Sequence, residues 1–302
     1  MMKNRNPRRR IWITLGLITI ILLLLAYFVE WEDVLYILRH TQWDFIVIAG
    51  GFLFLGIIFI SLRWRFVLDN KPKFLAAFHA NSIGYLVTIL TPIPGPALRV
   101  VALTQSSDVS ISSATPAMAI DLLLSLVMRI IALIIALTLG VKLSQAISSI
   151  LIGAALIVAV LGFMIWVIRH PKKILSSISG LLSRLPGMRG ERLEKSLSEL
   201  QAGISTLSSI RQILCALLLS VIMSICFLVF HYLGFRAIPV EMNSQEMIII
   251  SAAAMVVLPP FAPAMIGVYQ GVLVGFLMLF RITDSATLTA YAILVFTVQL
   301  FM

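Results

Sequence analysis

Long apolar runs dominate the pattern of hydrophobic and polar positions along this chain. A helix needs about 20 apolar residues to cross a hydrocarbon core of about 30 Å. Runs of about this length occupy residues 11–29, 43–62, 117–139, 148–168, 212–233 and 285–302. The pattern therefore predicts an all-α membrane protein with about six full transmembrane helices. The first run is expected to be retained, because no small-residue cleavage site follows it.

Two further apolar stretches are interrupted by clustered prolines. Residues 74–104 contain the sequence TPIPGP at 91–96, and residues 247–280 contain PPFAP at 259–263. Proline lacks a backbone N–H and fixes φ, so neither stretch can form one straight helix. Each is predicted to form two half-length helices joined by a non-helical turn.

The positive charges are distributed unevenly and predict the topology. Seventeen of the 23 lysines and arginines lie before residue 11, in the connection 63–73, or in the loop 169–211. Basic connections are typically cytoplasmic, so an even number of crossings should separate these segments. Each broken stretch must then return to the side from which it came, the first to the cytoplasm and the second to the exterior. We therefore expect two oppositely oriented re-entrant hairpins in an inverted pseudo-repeat, with a cytoplasmic N-terminus and a multi-pass location in the cell membrane.

The chain is predicted to form a single transmembrane domain over residues 1–302. Its parts are the first span at 11–29, a first repeat at 43–104 and 117–139, a linking span at 148–168, a cytoplasmic amphipathic segment at 169–211 and a second repeat at 212–302. The cytoplasmic segment carries apolar residues at helical spacing among basic residues. It could lie in the headgroup layer or pack on the bundle as a helical hairpin. The last apolar run reaches Met302, which leaves open whether this span continues beyond it.

The composition excludes several classes of protein. Of the 302 residues, 60% are hydrophobic and only 12% are charged, which is about half the charged share of a soluble domain. A soluble globular enzyme and a disordered chain are both excluded. The formal charge of +10 does not indicate nucleic acid binding, because the basic residues flank apolar runs instead of clustering with aromatic residues.

No motif for covalent catalysis, metal binding or cofactor binding is recognisable, so we expect no enzyme activity, metal or cofactor. The two cysteines, Cys215 and Cys226, lie in one apolar run. Arg99 follows the first broken turn, where its guanidinium and a half-helix N-terminus could bind a phosphate. The alternative is that Arg99 extends to the cytoplasmic surface.

Further candidates lie in the third span and in the second broken stretch. Arg129 lies near the centre of the third span, two turns after Asp121. Either the two residues form a structural charge network with another helix, or Arg129 lines a lipid pathway. Tyr269 and Gln270 follow the second broken turn as uncharged polar candidates. Three glycines recur there at four-residue spacing, which favours close helix packing, namely Gly267, Gly271 and Gly275.

Two motifs resemble those of the lysylphosphatidylglycerol synthase/flippase transmembrane domain family. TPIPGPALRVVAL at 91–103 is similar to its first motif, a proline followed by Gly-Glu-x-x-Arg, and APAMIGVYQG at 262–271 is similar to its second motif, Pro-x-x-x-Gly-Val followed by a glutamate. The resemblance implies a protein that translocates an anionic or isoprenoid-linked lipid. The residues that match these motifs are Pro94, Gly95, Arg99, Pro263 and Gly267.

The chain departs from the family pattern at acidic positions. Pro96 and Gln270 stand where the family usually has glutamate, and Leu122 and Ser125 stand where relatives often carry arginine and aspartate. These departures argue against a lysyl headgroup and against proton coupling. The family's synthase activity belongs to a separate soluble domain, so the resemblance implies no lipid aminoacylation here.

Three functional hypotheses follow from the sequence. The first is a flippase-like transporter of an anionic phospholipid or isoprenoid-linked lipid. The second is a membrane-embedded polyprenyl-phosphate-dependent transferase, which would need a carboxylate as base or metal ligand. The candidates for that carboxylate are Asp44, Asp108, Asp121 and Asp284. The third is a non-transporting scaffold for a cell-envelope enzyme. The expected partner is a membrane lipid, with a homodimer and an enzyme partner as open options.

Overall fold

The computed structural model describes residues 31–90, 95–140, 210–257 and 268–301. In these residues every regular element is a helix, which confirms the all-α prediction for this part of the chain. The nine helices are α1 (Trp31–Arg39), α2 (Trp43–Val67), α3 (Phe74–Leu90), α4 (Gly95–Ser106), α5 (Ile111–Gly140), α6 (Ile210–Arg236), α7 (Ser244–Val257), α8 (Val268–Met278) and α9 (Ser285–Phe301).

Three helices in the described part of the chain are long and apolar enough to cross a membrane by length and composition. They are α2, α5 and the part of α6 that spans Leu214–Arg236. At 1.5 Å per residue, the 25 residues of α2 extend about 37 Å, more than a hydrocarbon core. Many of their large apolar side chains face outward, Val47 with 74% of its surface exposed and Leu218 with 61%. Lipid tails would cover such side chains.

Both interrupted stretches form two short helices on either side of the prolines. In the first, α3 ends at Leu90 and α4 begins at Gly95; in the second, α7 ends at Val257 and α8 begins at Val268. Neither stretch is one straight helix, as the prolines predict. Their re-entrant topology, like the six-span count, stays a prediction. The predicted segments 11–29, 148–168 and 169–209 lie outside the described residues.

The start of one helix differs from the prediction, and one further helix was not predicted. Helix α5 begins at Ile111 and not at 117, so it contains Pro116. This proline lies near the N-terminus, where its missing N–H removes only one early hydrogen bond of the helix. Helix α1 was not predicted at all. It is short and carries Glu32 and Asp33 in its first turn, yet it buries Val34 and Ile37 and packs on α9.

The helices pack in two groups that follow the same chain order. The most extensive packing joins α2 and α6. Helix α2 contacts α3 and α5, while α6 contacts α7 and α9. The pairs α3–α4 and α4–α5 also have counterparts in the pairs α7–α8 and α8–α9. The group α2–α5 therefore corresponds to the group α6–α9, helix by helix.

The buried apolar side chains form two clusters. The larger cluster joins α2, α6, α7 and α9, with the consecutive alanines Ala252, Ala253 and Ala254 allowing close approach. The smaller cluster surrounds Trp64 and includes side chains of α3, α4 and α5. The Trp64 ring lies next to the guanidinium of Arg99.

Candidate functional site

A cavity of about 150 Å³ lies between the two groups of helices. All eight helices from α2 to α9 contribute side chains to its wall. Thr88 and Gly95 line it on either side of the first break, and Tyr269 lines it just after the second break. The two charged side chains in the described part of the wall, Arg99 and Arg129, are both cationic.

A buried ionic cluster lies directly behind this wall. The Arg63 guanidinium donates from Nε to Oδ1 of Asp121 at 2.7 Å. Arg99 approaches the other carboxylate oxygen, with 3.4 Å between its Nη2 and Oδ2 of Asp121. The side chains of Arg63 and Asp121 are at most 1% exposed. One carboxylate is thus shared by two guanidiniums, and the cluster keeps an excess positive charge.

The Arg63 guanidinium is fully engaged by its neighbours. Besides the Asp121 carboxylate, it donates to the carbonyl of Asp121 at 3.2 Å and to the hydroxyls of Ser125 at 2.7 Å and Ser220 at 2.9 Å. The charge count had placed Arg63 in the connection 63–73, and the structure corrects this by placing it in a helix. Helix α2 continues to Val67, so Arg63 lies inside the helix and faces the core. The one sequence signal that could have placed Arg63 inside the helix was its distance along the chain from Trp43, where α2 begins.

Two glycines allow close contacts in the hairpin formed by α3 and α4, Gly84 with Arg99 and Gly95 with Thr88. A Cβ at Gly84 would collide with Cγ of Arg99, and a Cβ at Gly95 would collide with the Thr88 hydroxyl. The guanidinium carbon of Arg99 lies 5.1 Å from the Trp64 ring centroid, in cation–π range. The Arg99 side chain is 11% exposed. It is therefore held inside the protein and does not extend to the surface.

Arg129 lines the cavity without a carboxylate partner in the described residues. Asp121, two turns earlier on α5, pairs with Arg63 and Arg99 instead. Of the two alternatives for Arg129, the charge network with Asp121 is not formed. Arg129 of α5 and Tyr269 of α8 line the same cavity, one from each group of helices.

Neutral polar groups complete the wall. Asn81 donates from Nδ2 to the Ser61 hydroxyl at 2.9 Å. Within the described ranges, its Oδ1 has no hydrogen-bond partner. The same holds for the hydroxyls of Tyr85 and Ser224 and for Nε of Arg99, all of them buried. Buried polar atoms are normally paired, so such a group of atoms at one cavity indicates a polar ligand.

The remaining predicted site residues fall into two groups. Pro94, Pro263 and Gly267 lie outside the described residues. Gln270 lies on α8, although not among the described residues of the wall. At Gly275, a Cβ would have no atom of the described residues within 4 Å, so these residues show no close packing there.

The described residues offer no evident metal or cofactor site. No group of three His, Cys, Asp or Glu side chains lies together in them. Cys215 and Cys226 are both free thiols. The buried carboxylate of Asp121 is occupied by two guanidiniums, which leaves it poorly suited to hold a cation.

The long apolar helices, the outward apolar side chains and the enclosed cationic cavity define an integral membrane protein with an internal polar site. Residues 11–302, nearly the whole chain, match the family described as "Lysylphosphatidylglycerol synthase TM region". The chain belongs to this family, which confirms the resemblance seen in its two proline motifs. No curated protein and no solved structure matches the chain.

Proposed function

We propose that the protein is a flippase-like transporter that moves an anionic lipid between the leaflets, with the headgroup bound at Arg99 and Arg129. The lipid is an anionic phospholipid or an isoprenoid-linked lipid phosphate. The proposal rests on one observation above all, the excess positive charge at a cavity enclosed by apolar helices. Three guanidiniums stand there against one carboxylate in the described residues.

The energetic cost of buried charge supports this proposal. An arginine within a membrane protein is expensive unless it is paired or faces a water-filled cavity. The single carboxylate of Asp121 is shared by Arg63 and Arg99, and Arg129 has no carboxylate partner in the described residues, so two positive charges remain in excess there. A lipid phosphate would supply the missing negative charge, and guanidinium groups bind phosphate with two parallel hydrogen bonds.

The position of the cavity also supports transport. Transporter sites commonly lie near the membrane midplane, where broken helices of two inverted repeats meet. The cavity is lined by both short-helix pairs, α3–α4 and α7–α8, and by both groups of helices. Rocking of one group against the other would open the cavity to each side in turn. The proposal includes the predicted topology, multi-pass in the cell membrane with a cytoplasmic N-terminus.

The state of the carboxylates favours binding over catalysis. A membrane-embedded polyprenyl-phosphate transferase needs an available carboxylate. Asp121 is the buried candidate, and both of its oxygens face guanidiniums. Asp44, Asp108 and Asp284 are exposed near helix ends, and none of them belongs to the described lining of the cavity. We therefore propose a transporter without enzymatic activity. A non-transporting scaffold for a cell-envelope enzyme remains as an outcome of the test, and a homodimer is not required.

The test is lipid translocation by the full chain in reconstituted vesicles. A fluorescent phosphatidate, which is an anionic phospholipid, is followed by the fraction accessible to a membrane-impermeant quencher. Arg129→Gln removes a cavity charge without leaving a carboxylate unpaired, so the fold should tolerate it. The matched control is Arg236→Gln, which removes an exposed charge at the end of α6.

We expect wild type and Arg236→Gln to move the lipid, and Arg129→Gln to lose most of this activity while keeping its thermal stability. Equal translocation by all three proteins would reject the assignment of the cavity. Absence of translocation by wild type, with lipid retained during purification, would favour the scaffold.

A further inference from the structure

We infer that the cavity selects lipids whose headgroup ends in a phosphomonoester, a dianionic phosphate with no substituent beyond it. This inference rests on the proposed function and specifies its substrate class. Phosphodiester lipids such as phosphatidylglycerol and zwitterionic lipids would bind more weakly. The argument uses the charge, the hydrogen-bonding groups and the volume of the site.

The charge of the site matches a dianion. In the described residues, Arg63, Arg99 and Arg129 oppose the single carboxylate of Asp121, which leaves two positive charges. A phosphomonoester carries about −1.5 to −2 charges at pH 7, judged from phosphorylated side chains. A phosphodiester carries only one negative charge and would leave one guanidinium uncompensated. An uncompensated buried charge is costly, so the dianion is favoured.

The wall offers donors for phosphate oxygens and no acid for an amine. Nε of Arg99 and the hydroxyls of Tyr85 and Ser224 are buried without a partner in the described residues. They can donate to the three terminal oxygens of a phosphomonoester. No carboxylate belongs to the described lining. The connecting segments 91–94 and 258–267 contain no charged residue in their sequence. A headgroup ammonium would therefore have no counter-charge in the described lining.

The volume favours a small headgroup. The cavity of about 150 Å³ is comparable to an engineered protein cavity that holds one benzene molecule. A phosphate fits into such a space, whereas an oligosaccharide attached to the phosphate does not. The lipid tail would have to leave between the helices. A terminal phosphate could come from a phosphatidate or from a polyprenyl monophosphate. The cavity would bind only the phosphate group that the two lipids share.

The experiment measures binding of four lipids to the purified full chain by native mass spectrometry in mild detergent. Phosphatidate and polyprenyl monophosphate supply the phosphomonoester with different tails. Phosphatidylglycerol and phosphatidylethanolamine, with the acyl chains of the phosphatidate, supply a phosphodiester and a zwitterion. We expect at least one phosphomonoester to bind about tenfold more tightly than phosphatidylglycerol, the size of one charge-assisted hydrogen bond.

Two further readouts connect this preference to the site. Arg129→Gln should reduce it severalfold, whereas Arg236→Gln should leave it unchanged. Lowering the pH from 7.5 to 5 should also reduce it, because a phosphomonoester has its second pKa near 6 and loses its second charge. Phosphatidylglycerol has only one ionisable phosphate oxygen and keeps its single negative charge at both pH values, so it serves as the internal control.

The outcomes separate this inference from the proposed function. If phosphatidylglycerol binds as tightly as both phosphomonoesters and Arg129→Gln weakens all anionic lipids alike, the phosphomonoester preference is overturned and the anion site stands. If no lipid distinguishes wild type from Arg129→Gln, both are overturned. A preference for only one of the two phosphomonoesters would support the inference and identify the source of the lipid.

Discussion

Arg63 and Asp121, 58 residues apart in the chain, form an ion pair that is completely enclosed by the helix bundle. The pair joins α2 to α5, with 2.7 Å between Nε and Oδ1. Arg63 is the closer partner of this carboxylate, since the contact of Arg99 with Asp121 is longer at 3.4 Å. Arg63 thus has a structural role that leaves the charge of Arg99 available to a ligand.

Replacing Asp121 by asparagine should destabilise the protein strongly. The change leaves the buried guanidinium of Arg63 without its counter-charge, and breaking a buried ion pair by removing one partner costs about 3–5 kcal/mol. Thermal unfolding in detergent, followed by intrinsic fluorescence, would measure the loss. The double variant Arg63→Gln/Asp121→Asn should lose less than the sum of the single variants. Additive losses would show that the pair contributes no coupling.

Replacing Gly84 by alanine should displace Arg99 and weaken anionic lipid binding. The new methyl group would occupy the position of the Arg99 stem, so the side chain must move. Binding of phosphatidate in native mass spectrometry should fall about tenfold or more, consistent with losing a hydrogen bond to a charged group.

The matched control for this change is Gly51→Ala. A Cβ at Gly51 would have no atom within 4 Å, and this glycine lies in the helix interior of α2. The control should keep lipid binding and gain up to about 1 kcal/mol of stability from the lower backbone entropy of the unfolded chain. Equal lipid binding by Gly84→Ala and wild type would contradict the placement of Arg99.

A neutral polar pair occupies the corresponding position in the second group of helices. His231 on α6 and Tyr291 on α9 are fully buried, with 2.5 Å between Nδ1 and the hydroxyl oxygen. Tyr291→Phe should cost about 1–3 kcal/mol, because the ring nitrogen then stays buried without a partner. Tyr36→Phe, on the exposed side of α1, is the control. Equal thermal unfolding of the two variants would mean that the pair adds no stability.

The N-terminus of α9 should make stability depend on acid pH. Burial alone would raise the pKa of Asp284, but hydrogen bonds from the Thr287 N–H and hydroxyl outweigh it and lower the pKa. Its folded pKa thus lies below its unfolded value near 3.9. The contribution is therefore present above about pH 4 and is lost as the pH falls further.

Two variants test this cap by thermal unfolding between pH 3 and 7. Asp284→Ala should lose about 1 kcal/mol at pH 7, the usual cost of removing an N-cap side chain. Asp284→Asn keeps an acceptor for the Thr287 N–H and should lose less, while removing the dependence on acid pH. A pH dependence that is unchanged in Asp284→Asn would show that other groups cause it.

The helices were predictable because their signals are local. Run length predicted α2, α6 and α9 to within a few residues, and clustered prolines predicted both helix breaks. Helix α1 escaped prediction because a nine-residue amphipathic segment with two acidic residues has no membrane-span signal of its own. Its burial comes from packing on α9, which only the assembled bundle provides.

The candidate site was predictable only in part. Arg99 and Arg129 were recognisable because an arginine inside an apolar run is costly and therefore conspicuous. Arg63 was not, since it follows an apolar run and resembles a cytoplasmic anchor. Other polar residues of the lining from α3 and α6, such as Tyr85 and Ser224, gave no signal, because single polar residues are common in membrane helices.

The sequence by itself determined the membrane location, the family, the helical runs and the breaks, because length, hydrophobicity and proline chemistry act over neighbouring residues. Only the tertiary structure decided that Arg63 and Arg99 meet the buried carboxylate of Asp121, and that Arg129 has no carboxylate partner in the described residues. Residues from helices far apart in the chain form these contacts, and the Coulomb energy that governs them depends on distance in space and not on separation in sequence.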